Sequence, residues 1–126
     1  MSCFIGPDLF PRYLADDVPG EADEIETLLK RAAAGETALA TNSLAIAEVV
    51  WALEAVYGVS RERIRETVLA ILNTPGLAVA EAEVVLQAAL WYGERNVDFI
   101  DAFNAAWLLD RELPGIYTFD RRQFSR

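Results

Sequence analysis

The sequence predicts an α/β domain. Short apolar strands alternate with longer amphipathic helices, the alternation runs the length of the chain, and the helices carry cap and stop residues at their ends. This order implies a short, mainly parallel sheet with helices over both faces, in three layers α/β/α. With 126 residues, 53% of them hydrophobic, the chain has material for one compact core and too little for two, so residues 1–126 are expected to form a single domain.

The elements follow in order. "CFI" is a short apolar strand, and "DLFPRYLADD" is a short helix opened by Asp8 as N-cap, with Pro11 in the first turn where its missing N–H does little harm. "EADEIETLLKRAAAG" is amphipathic, with Ile25, Leu28, Leu29 and Ala32 on one face, Lys30 and Arg31 at the end that favours cations, and Gly35 as the stop. "TALAT" reads as a buried strand. "NSLAIAEVVWALEAVYG" is a helix capped by Asn42 or Ser43 and stopped at Gly58, and its near-continuous apolar surface predicts burial all round. "SRERIRETVLAILNTPG" is a helix capped by Ser60 and ended by Pro75-Gly76. "LAVAE" is a strand, "AEVVLQAALWYGERN" and "DFIDAFNAAWLLDREL" are helices, and "GIYTF" is a closing strand. No repeat, low-complexity tract or linker interrupts them.

Composition narrows the chemistry. Cys3 is the single cysteine and there is no histidine, so neither an internal disulfide nor a Cys/His zinc site is available and any metal must be held through oxygen. The formal charge of −9 argues against bulk electrostatic affinity for nucleic acid, although the tail "DRRQFSR" supplies a local basic rim. No signal peptide or membrane span is visible, which predicts a cytoplasmic protein.

The acids are the informative residues. Open α/β sheets form their sites outside the carboxyl ends of the strands. Glu48 lies in the apolar helix of "SLAIAEVVWAL", where an isolated carboxylate needs a cation, a donor or a wet cleft, unless it sits on a solvent stripe shared with Glu54. Asp98 and Asp101 stand three apart at the start of the last helix, a spacing shared by a capping box and by a pair of ligands. Asp120 follows the final strand directly, as a ligand, a turn residue or a partner of Arg121. Carboxylates gathered from different strand ends repel one another unless a divalent cation neutralises them, and an all-oxygen donor set suits Mg²⁺ or Mn²⁺ and phosphoryl chemistry.

The order of "AEVVWAL", "VDFIDAFNAA" and "YTFDRRQF", after the opening "FIGPDLFPRYLADD", resembles a PIN domain of the VapC-type toxins of toxin–antitoxin pairs, nearly end to end. The resemblance implies a PIN-like α/β/α fold and a Mg²⁺- or Mn²⁺-dependent endoribonuclease that dimerises and is silenced by a cognate antitoxin. It assigns Glu48, Asp101 and Asp120 to the metal-binding acids and Asp98 to an additional acid found in some members. Arg12, Arg121 and Arg122 are candidates for steering RNA phosphates. One position departs from the family: Gly6 stands where the first strand usually ends in an aspartate, and Asp8 stands where an asparagine usually follows. Gly6 has no side chain to bind metal. Asp8 is then either a replacement ligand or only a helix cap, and the chain either a ribonuclease or a catalytically inactive PIN module that binds an antitoxin-like partner. The apolar and aromatic excess of the later helices, including Trp91, Tyr92 and Trp107, predicts a homodimer surface.

Overall fold

The computed structural model describes residues 2–15 and 20–113, without the side chains of Ser2, Arg12, Leu14 and Ala15. In chain order these residues form β1 (Ser2–Phe4), α1 (Leu9–Ala15), α2 (Glu21–Ala33), β2 (Ala38–Thr41), α3 (Ser43–Ala55), α4 (Arg61–Leu72), β3 (Leu77–Val79), α5 (Ala82–Glu94) and α6 (Phe99–Asp110). The expected closing strand "GIYTF" lies outside the described residues. The order and type of the elements give the expected α/β architecture, six helices around a three-stranded parallel sheet, consistent with a PIN-like α/β/α fold.

The sheet has the order β1-β2-β3, with Cys3 opposite Leu39 and Leu39 opposite Leu77. Parallel neighbours need long crossovers, and α1–α2 and α3–α4 supply them. Buried Thr41 donates its hydroxyl to the Ile5 carbonyl at 2.9 Å, which ties the carboxyl ends of β1 and β2 together and satisfies a polar group inside the core. "TALAT" is not buried on both faces as expected. Leu39 and Thr41 point inward, whereas Ala38 and Ala40 are exposed, and Phe4 and Ala78 flank Ala40 on that outward row. Successive side chains of a strand face opposite ways, and among the described residues burial is one-sided here.

Local sequence explains the helix ends. Ala45 N–H donates to Asn42 Oδ1 at 2.9 Å and Arg63 N–H to Ser60 Oγ at 3.3 Å, so α3 and α4 begin where a side-chain acceptor replaces a missing backbone one. Gly35 and Gly58 leave α2 and α3 with φ of +80° and +62°. Gly76 has φ +80°, and a Cβ there would lie 2.4 Å from the Ala32 carbonyl oxygen, so only glycine lets the turn into β3 pass this close to the end of α2.

The core is built from Ile46, Val49, Val50 and Leu53 of α3, Ile64, Val68 and Ile71 of α4, and Val85, Ala88, Ala89 and Tyr92 of α5, closed by Phe99 and Ala102 of α6. Alanines on the facing sides of α5 and α6 let these helices approach closely. Tyr92 is fully buried, with its ring edge-on to Phe99 at 6.0 Å and its hydroxyl donating to the Glu54 carboxylate. The Arg61 guanidinium lies 4.4 Å over the Tyr92 ring and donates to the carbonyls of Tyr92 and Val97 at 3.1 and 2.7 Å, placing a cation at the electronegative end of α5. Burial first, and then the bond to Glu54, pushes the Tyr92 phenol well above its ordinary pKa.

One expectation about surface is corrected. Helix α3 is not buried all round: Ala45, Ile46, Val49, Val50 and Leu53 face the core, and the opposite stripe of Leu44, Glu48, Trp51 and Ala55 faces out. Hydrophobicity alone does not say which faces have neighbours. The aromatic residues of the later helices are covered to different degrees. Tyr92 is core, and half-buried Trp91 and Trp107 carry Arg95 and Arg111 over their rings at 5.6 and 3.9 Å. The large exposed apolar residues include Leu44, Trp51 and Val56 around α3, and Ile100, Leu109 and Leu113 around α6.

Candidate active-site cleft

Two of the sequence-selected acids share one cleft. Chain leaving β1 turns at Pro7-Asp8 before α1 begins at Leu9, and the outward stripe of α3 carries Glu48 past this turn. Asp8 and Glu48, with Pro7, Pro11, Trp51 and Tyr57, line a cleft of about 290 Å³. The departure at Gly6 has a geometric counterpart. Among the described residues a Cβ on Gly6 would meet only Asp8 Oδ1, at 3.4 Å, so the Asp8 carboxylate folds back beside the place from which an aspartate at position 6 would project.

The last helix is arranged differently. Asp98 is its N-cap, with Ile100 N–H donating to Oδ2 at 3.3 Å, so the capping role considered for this residue is present in the structure. Asp101 is half-buried in the first turn of α6 and is not among the residues lining the Asp8–Glu48 cleft. Glu54 does not share the stripe of Glu48, because it turns inward to accept from Tyr92. Asp120, Arg121 and Arg122 lie outside the described residues, as does the Arg12 side chain.

The donor set decides how far a metal reading goes. Among the described residues no group of three or more Cys, Asp or Glu side chains comes together in a way that could hold a metal ion. Mg²⁺ takes one or two carboxylates from a protein and completes its shell with water and substrate phosphate, so Asp8 and Glu48 fit the smaller donor set and no third acid of the described residues joins them.

A second group was not selected from the sequence. Glu81 follows β3 at the carboxyl edge of the sheet with φ +57°, a conformation that side chains rarely adopt, and caps α5 without a side-chain bond. Its carboxylate accepts from Arg111 Nη2 at 3.0 Å and from Ser43 Oγ at 3.4 Å, linking the start of α3, the start of α5 and the end of α6. Its place directly after the strand "LAVA" was the available signal. Its partners, 30 and 38 residues away, gave none.

Comparison with curated proteins and with solved structures finds no match. A family model, described as PIN domain, matches residues 16–126, which leaves β1 and α1, with Gly6 and Asp8, ahead of the matched stretch. No described helix is long and apolar enough to cross a membrane. The match spans most of the chain and agrees with the parallel α/β architecture, and the protein therefore belongs to the PIN-domain family.

Proposed function

We propose that this PIN domain is a VapC-type endoribonuclease, the toxin of a cytoplasmic toxin–antitoxin pair, which hydrolyses RNA phosphodiester bonds with Mg²⁺ or Mn²⁺. The observation that supports it best is the pairing of Asp8 with Glu48 in one cleft at the end of β1, in a chain of this family. In this reading Glu48, Asp101 and Asp120 are the acids, Asp98 is an auxiliary one, and Asp8 stands in for the carboxylate that Gly6 lacks. Arg12, Arg121 and Arg122 steer RNA phosphates. A cognate antitoxin covers the site, and the chain acts as a homodimer, for which the exposed Ile100, Leu109 and Leu113 around α6 are better placed than the buried Tyr92.

The test is cleavage of single-stranded RNA in Mg²⁺ or Mn²⁺. The reading expects activity that Asp101→Asn, Glu48→Gln and Asp8→Asn each remove. Gly6 favours a second reading, a catalytically inactive PIN module that binds an antitoxin-like partner. It expects no cleavage by the natural sequence, a gain with Gly6→Asp, and little change with Asp8→Asn.

A further inference from the structure

Five of the aromatic residues, Trp51, Tyr57, Trp91, Tyr92 and Trp107, fall into two groups. Arg95 covers the ring of Trp91, Arg61 that of Tyr92 and Arg111 that of Trp107, each within 6 Å. Trp51 and Tyr57 have no such cover among the described residues and are 63% and 41% exposed. Both line the cleft that holds Asp8 and Glu48. Trp51 follows Glu48 by three residues on α3, so the indole and the carboxylate stand on one helix face about one turn apart. The open rings give this cleft a flat apolar surface on which a planar group can stack.

We propose that Trp51, with Tyr57 beside it, is a stacking face for a base of the single-stranded RNA whose phosphodiester lies at Asp8 and Glu48. The proposal rests on the ribonuclease reading and adds the part of the substrate that the cleft grips. The cleft is lined by no lysine or arginine among the described residues, so beyond the acids what its walls offer the strand is the π-face of the rings, open to any base. The base adjoining the phosphodiester is the part of the strand that reaches a ring one helical turn from the acid. Stacking of this kind tolerates sequence, which makes Trp51 a determinant of single-stranded and base-bearing substrate rather than of a particular base.

The experiment compares the protein with Trp51→Ala and Trp51→Phe, after circular dichroism has shown that the exposed substitutions leave the fold intact. Binding is measured in Ca²⁺ to a short fluorescent single-stranded oligoribonucleotide and to the matched ribose-phosphate oligomer lacking bases, and cleavage is measured separately in Mn²⁺. The expected result is roughly tenfold weaker binding of the base-bearing oligomer by Trp51→Ala, recovery in Trp51→Phe, and no change for the abasic oligomer, with cleavage losing KM more than kcat. Equal affinity for both oligomers in the starting protein, or an unchanged KM in Trp51→Ala, overturns the proposal and leaves the ribonuclease reading standing. Trp51-dependent base binding without any cleavage upholds the stacking face and overturns the ribonuclease reading. A change of oligomeric state in Trp51→Ala with RNA binding untouched assigns the ring to a second copy of the chain and overturns the proposal.

Discussion

The hydroxyl of Tyr92 on α5 donates to the carboxylate of Glu54 on α3, so the most enclosed aromatic residue of the core is also a polar tie between two helices. Tyr92→Phe keeps the packing and leaves a half-buried carboxylate without its donor. The expected cost is about 1–2 kcal/mol in a denaturant titration. The pH dependence follows from the raised phenol pKa. Between the unfolded value near 10 and the higher folded one, the unfolded chain loses a proton that the folded chain keeps, so stability is full below about pH 10 and falls above it. Tyr92→Phe should flatten that alkaline decline in a series of melts.

Two glycines with the same φ of +80° should respond differently to alanine. At Gly35 a Cβ meets nothing within 4 Å, and Gly35→Ala should cost only the left-handed backbone penalty of about 1–2 kcal/mol. Gly76→Ala adds a collision with the Ala32 carbonyl, and thermal denaturation should show a clearly larger loss, more than about 2 kcal/mol.

Gly6→Asp should fold as well as the natural sequence, because among the described residues its Cβ meets only Asp8 Oδ1, at an ordinary 3.4 Å. If the Asp8 carboxylate already serves at this place, calorimetry with Mn²⁺ should show metal binding that Asp8→Asn abolishes. Gly6→Asp combined with Asp8→Asn should then restore it. Restoration that fails in the double variant would separate the two positions.

Asn42→Ala removes the acceptor for Ala45 N–H at the start of the helix that carries Glu48 and Trp51. A loss of about 1 kcal/mol is expected, readable as a lower denaturant midpoint with an unchanged slope.

What the sequence disclosed was local. Asn42, Ser60 and Gly35 were identifiable because a cap or a left-handed exit is decided within a few residues, and the strand–helix alternation carried the parallel architecture with it. The outward stripe Leu44–Glu48–Trp51 was not legible, because an apolar helix shows no preferred face until its neighbours are placed. The tie between Tyr92 and Glu54 and the group around Glu81 join residues 30 or more apart, beyond the reach of any periodic pattern. The acids were found by type and position. The sharing of one cleft by Asp8 and Glu48 depended on how β1 and α3 meet in space.

Much of the positive charge in the described structure is already engaged. Lys30 pairs with Glu26, Arg31 with Glu36, and Arg111 with both Glu81 and Asp110, all within 4 Å, while Arg61 is bound to two carbonyls. RNA held by the Asp8–Glu48 cleft alone should release few counterions, so a steep fall of the logarithm of affinity with that of salt concentration would trace to the arginines proposed to meet phosphates, Arg12, Arg121 and Arg122.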